Sequence, residues 1–123
     1  VAVLLIFGTA DPQNPESGGR VTGPNGNVLV KPAPMSSARR WSRYYRCTTT
    51  VGATVDIIRQ TSFHSCQPDV PVIFLAVSGL GHQWPGGGPN LVDSHAGPQV
   101  ANVRATDIIW DFFSRATAGA RND

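Results

Sequence analysis

Long apolar runs are missing from this 123-residue chain. The longest, Val1–Phe7, falls far short of the ~20 apolar residues that a bilayer-spanning helix requires, so a transmembrane reading is excluded. Charge is also scarce, at 15% of residues with a formal net charge of +2, and does not by itself select a partner. The four arginines that do cluster, Arg39, Arg40, Arg43 and Arg46, fall on one predicted helix. They read as a solvated face rather than a nucleic-acid site, because no stacking aromatics or reader motif accompany them. Cysteine is limited to Cys47 and Cys66, which excludes the paired-cysteine zinc patterns. A metal site built from His64, Cys66, His82 and His95 would have irregular spacing, so no metal or other cofactor is expected. Repeats and low-complexity tracts are absent. So are an initiator methionine, a basic leader and a small-residue cleavage site, and the opening on Val1 therefore reads as an interior start whose N-terminal context has been lost.

What remains is a chain with 41% hydrophobic residues, enough to form a core within the size of one domain or part of one. Val1–Phe7 is a continuous apolar run stopped by Gly8-Thr9-Ala10-Asp11-Pro12, the pattern of a central, parallel-type strand buried on both faces. Residues 12–35 hold most of the turn chemistry, with a short hairpin expected from Arg20 to Val30. Ser36 or Ser37 can cap a helix running to about Arg46, in which Ala38, Trp41 and Tyr45 recur at helical spacing. The β-branched stretch from Thr48 to Ser65 reads as two short strands or one bent one. A second apolar run, Val70–Val77, halts at Ser78-Gly79-Leu80-Gly81-His82, and the Gly/Pro-rich segment 79–98 is loop. Ala105, Ile108, Ile109, Phe112, Phe113 and Ala116 mark a terminal amphipathic helix, with Asn102 as a candidate cap.

Two buried strands separated by a helix form a β-α-β unit, and ligands in such sheets gather beyond the carboxyl ends of the strands. Asp11 and His82 both fall there. A carboxylate bonded to one imidazole nitrogen fixes the tautomer and leaves the other nitrogen to take a proton from a hydroxyl nucleophile. Asp followed by His, each after a late strand, is the chain order of α/β-hydrolases, whose serine lies earlier on a Gly-x-Ser-x-Gly elbow. No such elbow occurs in these residues. Cys47 and Cys66 are spaced for a disulfide, with two buried thiols as the alternative.

Several segments together resemble one family. They are Gly8-Thr9-Ala10-Asp11-Pro12 with Pro15-Glu16-Ser17-Gly18-Gly19; Trp41, Cys47 and Cys66; Gly79-Leu80-Gly81-His82-Gln83-Trp84-Pro85-Gly86-Gly87; and Ala105-Thr106-Asp107-Ile108-Ile109-Trp110-Asp111-Phe112-Phe113. In these the chain is similar to the C-terminal third to half of extracellular polyhydroxybutyrate depolymerases and the related feruloyl and acetylxylan esterases. The resemblance implies an α/β fold, with residues 1–123 as the C-terminal portion of a single α/β-hydrolase catalytic domain: parallel strands, a crossover helix and a terminal amphipathic helix. It implies Asp11 as triad acid, His82 as triad base, a Cys47–Cys66 disulfide and secretion. The serine and oxyanion-hole residues would come from a missing N-terminal half. The family's His-Gly-Thr before the acid is departed from at Phe7, and Gln13-Asn14-Pro15-Glu16 replaces a more apolar, aromatic stretch, which leaves the ester open.

Trp84, two residues after His82, is a candidate contact for an aryl or polyester substrate, or else packs its own loop. The function expected is carboxylic-ester hydrolysis in the intact protein, with the isolated chain inactive, an ester or polyester as substrate, and neither nucleic acid nor membrane as partner. Two rivals stand beside it: a non-catalytic esterase remnant or binding module that never meets a serine, and a peptidase or thioesterase of the same fold.

Overall fold

In the computed structural model, which describes residues 1–88 and 96–120, six strands and two helices form a small β-rich domain. Strands β1 (Val3–Gly8), β4 (Thr49–Val55), β5 (Ile58–His64) and β6 (Val72–Val77) make one sheet in the order β1-β6-β5-β4, and β2 (Gly19–Thr22) pairs with β3 (Val28–Lys31) as a separate antiparallel ribbon. Helix α1 covers Pro34–Tyr44 and α2 covers Ala105–Ala120. Among the described residues only β1 and β6 are parallel, in the register Val3 opposite Val72 through Gly8 opposite Val77. β5 is antiparallel to both β6 and β4.

This corrects the expected fold class. The chain is not the α/β-hydrolase portion built of parallel strands that the sequence pattern suggested, because half of its main sheet is an antiparallel β4–β5 hairpin and the sheet is mixed. The physical reason lies in residues 49–64. A two-residue turn at Asp56-Ile57, with Asp56 in the left-handed region at φ 53°, folds Thr49–Val55 straight back on Ile58–His64. Asp tolerates that conformation better than most residues. β4 is exposed along its whole length, which suits an antiparallel outer strand rather than a buried parallel one. β1 is also an edge strand in the sheet order, and Leu4–Phe7 are accordingly half-buried rather than enclosed as a central strand would be.

The alternation of β1 and β6 supplies a core on each face of the sheet. Val3, Leu5 and Phe7 join Val72, Phe74 and Ala76 against Met35, Ala38 and Tyr45 of the α1 segment, with the Phe7 and Phe74 rings stacked at 5.5 Å. On the other face Ile6 and Val77 pack with Leu80, Val100, Val103 and Ile108 of α2. The helix boundaries differ from the expected ones. α1 begins at Pro34 behind an extended Ala33, with no side-chain cap. Proline is preorganised for that first position and has no N–H to leave unsatisfied. Ser36 is already inside, donating its hydroxyl to the Ala33 carbonyl at 2.6 Å. Asn102 is three residues short of α2, in the left-handed region at φ 64°, and is not at the cap position. A Cys47–Cys66 disulfide ties the turn after α1 to the segment after β5, so the bonded alternative holds. Among the described residues no helix is long and apolar enough to cross a membrane.

Candidate functional site

The parallel pairing of β1 with β6 brings their carboxyl ends side by side, and the two following loops are then bonded to one another. The Thr9 N–H donates to the Val77 carbonyl at 3.0 Å, the Ala10 N–H to the Leu80 carbonyl at 2.9 Å, and the Gly79 N–H to the Thr9 hydroxyl oxygen at 3.0 Å. Two glycines make this approach sterically possible. A β-carbon on Gly8 would overlap the Leu80 carbonyl oxygen, and one on Gly81 would overlap the carbonyl oxygen of Ala96. Contacts that close are closed to every residue with a side chain. Gly81 and His82 also donate their backbone N–H groups to the Pro98 and Ala96 carbonyls, which fixes the histidine loop from its other side.

On this support Asp11 Oδ2 stands 3.0 Å from His82 Nδ1. The carboxylate collects three more donors. Its Oδ1 accepts the backbone N–H groups of Gln13 at 2.7 Å and Asn14 at 3.1 Å, and the Asn14 side-chain amide reaches Oδ2 at 3.4 Å. Burial of Asp11 would raise its pKa, but the hydrogen bonds from His82, Gln13 and Asn14 outweigh it, so the group is held below the usual carboxylate value. The Asp11 side chain is 9% exposed and that of His82 49%. The pair is therefore a sheltered, ionised carboxylate orienting an accessible imidazole. With Nδ1–H donated to Asp11, Nε2 carries the lone pair and can accept a proton.

His82, Asp11 and Trp84 line one open groove of about 600 Å³, whose floor runs along Leu4–Gly8. Trp84 is 57% exposed, with one edge of its side chain beside Gly87 of its own loop. His64 lies at the far end of β5, opposite Thr49, away from this groove. His95 lies outside the described residues. Among the described residues no three His, Cys, Asp or Glu side chains converge as metal ligands, and no hydroxyl hydrogen-bonds His82.

Sequence reasoning missed three contributors. Asn14 was read only as part of a departure from the family pattern, yet it donates to Asp11 through both its backbone and its side chain. Its signal was the Asp-x-x-Asn spacing, in which a carboxylate bonds N–H groups two and three residues on. In the sequence Gly8 and Thr9 mark the end of a strand and belong to the family-like segment before Asp11; their part in joining the two loops depends on residues some seventy positions away. Compared with protein-family models, curated proteins and solved structures, the chain matches none.

Proposed function

We propose that Asp11 and His82 are the acid and base of a serine-type carboxylic-ester hydrolase whose nucleophile comes from polypeptide preceding these residues, and that the protein is exported. The observation that carries this reading is the 3.0 Å contact between a sheltered, ionised Asp11 and the half-exposed His82 at the mouth of a groove. The Cys47–Cys66 disulfide supports export, since such bonds persist in oxidising compartments. In the proposed reaction the serine hydroxyl gives its proton to His82 Nε2 as its oxygen bonds the ester carbonyl carbon. The imidazolium, stabilised by Asp11, returns that proton to the departing alcohol. Water then repeats the sequence to free the acid. Trp84 flanks the base and offers an aromatic surface to an aryl or polyester acyl group. This ester chemistry is the activity of the polyhydroxybutyrate depolymerase and feruloyl or acetylxylan esterase family that the Gly-Leu-Gly-His-Gln-Trp-Pro-Gly segment resembles.

A second reading draws on one specific observation: Trp84 stands 57% exposed on the groove, as would suit a binding module that keeps the sheet edge and this ring without the reaction. A panel of p-nitrophenyl, feruloyl and hydroxybutyrate esters separates the two when assayed on the protein with its preceding segment. Hydrolysis that falls by about 10⁴ in Asp11→Asn and at least as far in His82→Ala is expected of the hydrolase. Hydrolysis that survives His82→Ala, or no hydrolysis of any ester, sinks the reading.

A further inference from the structure

Basic and acidic residues are segregated along this chain in a way the net charge conceals. Residues 17–55 hold Arg20, Lys31, Arg39, Arg40, Arg43 and Arg46, and not one Asp or Glu. Four of these six lie on α1 or the turn just after it, all exposed, and none is in an ion pair among the described residues. The other described arginines differ: Arg59, Arg104 and Arg115 are paired with Glu16, Asp107 and Asp111.

The same helix presents aromatic rings beside those charges, which corrects the reading of the arginine cluster as a solvated face unaccompanied by stacking aromatics. Ser37, Arg40, Trp41 and Tyr44 are spaced i, i+3, i+4, i+7, which puts them on one flank of α1. They border a shallow depression of about 600 Å³ together with Val1 and Tyr45. The rings are held in place: buried Tyr45 stacks on Trp41 at 5.8 Å, and Tyr44 meets Tyr45 edge-on at 5.0 Å. Tyr45 is anchored in turn, because its carbonyl accepts the Gln67 N–H at 2.6 Å and the Cys47–Cys66 bond closes the turn two residues on. Above this fixed base Trp41 is 39% exposed and Tyr44 73% exposed. Prearranged rings bind at low entropic cost.

From this juxtaposition we propose that the α1 flank formed by Arg40, Trp41 and Tyr44, extended by exposed Arg43 three residues on from Arg40, is a binding surface for an acidic polysaccharide, a chain of sugar rings bearing carboxylates. Guanidinium groups bind carboxylates through paired N–H donors, and unpaired arginines give up no internal partner to do so. Ring faces and edges of Trp and Tyr accept the apolar C–H faces of pyranose rings while the Tyr hydroxyl stays wet. A lone carboxylate would use the arginines and ignore the rings; a neutral glycan would do the reverse. An acidic glycan is favoured over single-stranded nucleic acid because the disulfide is compatible with an extracellular location, where such glycans occur. This binding is independent of the Asp11–His82 pair and survives if the hydrolase reading fails.

Affinity electrophoresis and titration calorimetry of the protein with polygalacturonate, neutral xylan and oligodeoxythymidylate test it. Polygalacturonate is expected to bind most tightly, and binding should weaken at least about tenfold in Arg40→Glu/Arg43→Glu and severalfold in Tyr44→Ala. Neither variant alters a buried side chain, and near-ultraviolet circular dichroism checks that both stay folded. An Arg20→Glu/Arg115→Glu control, with the same change in net charge, should retain most of the affinity. The proposal is overturned if polygalacturonate fails to bind, if the control loses as much as the α1 variant, if Tyr44→Ala has no effect, or if oligodeoxythymidylate binds more tightly.

Discussion

Replacing Asp11 by Asn tests the electrostatic arrangement of the site without changing its shape. Oδ1 of Asp11 accepts two backbone N–H groups, and Oδ2 faces His82 Nδ1 and the Asn14 amide. An asparagine has one oxygen, and the two N–H donors, fixed by the turn, will claim it. Its amide then points at His82, so Nδ1 must become the acceptor and the imidazole proton moves to Nε2. Hydrogen bonds to a charged group contribute about 1.5–3 kcal/mol each, and the relief of carboxylate burial offsets part of the loss, giving an expected net destabilisation of about 1–2 kcal/mol. For a chain of this length that corresponds to a fall in Tm of roughly 4–8 °C. Nitrogen NMR of the imidazole should report Nδ1–H in the parent protein and Nε2–H in the variant, and urea unfolding should give the stability difference. An unchanged tautomer together with unchanged stability would refute the assignment of Asp11 as the residue that orients His82.

Other perturbations follow from the same contacts. Because the pKa of Asp11 is lowered by folding, its contribution to stability is fully present above the unfolded-state value of about 4 and is lost as pH falls through the lower folded value. The stability gap between the parent and Asp11→Asn should therefore shrink as pH falls below about 4; a gap that widens over that range contradicts this. Gly8→Ala and Gly81→Ala, each forcing a β-carbon into backbone, should each destabilise by about 3 kcal/mol in denaturant titrations. Gly52→Ala in β4, which has open space around it, should change stability by no more than about 0.5 kcal/mol. Alkylation under denaturing, non-reducing conditions should find no free thiol, and reduction should cost about 3 kcal/mol for a loop closed across 19 positions.

The sheet was legible in the sequence to the extent that burial made its strands apolar. Val3–Gly8 and Val72–Val77 end at the polar turns their sequence marks, and the β2–β3 ribbon lies where the turn chemistry of residues 20–30 put a hairpin. The neighbours of each strand were not legible. An edge strand packed against helices on both faces carries the same apolar run as a central one, so β1 read as central. β4, exposed on both faces, has no alternating pattern to reveal its pairing, and only the two-residue turn at Asp56-Ile57 could have indicated a hairpin. The class of the fold turned on that turn. Helix ends were obscured for a local reason: Pro34 supplies a start that requires no serine, so the capping hydroxyls the sequence offers, Ser36 and Ser37, lie three and four residues past the actual cap position at Ala33.

The site was more legible than the fold, and the reason is local. Asp11 and His82 each end a strand, and two parallel neighbours necessarily bring their carboxyl ends to one edge, so the 3.0 Å contact requires only that one pair, not the whole sheet class. A mixed sheet preserves it as well as a parallel one. What the pair needs beyond adjacency is the precise height of the two loops, and that is set by Gly8 and Gly81, whose missing side chains let backbone meet backbone, and by the Thr9 hydroxyl between them. Such support leaves little trace in a linear reading, because an absent β-carbon looks the same in a flexible loop and in a tight junction. The two kinds of glycine separate only when the partner strand is known, and β6 begins more than sixty residues after β1 ends.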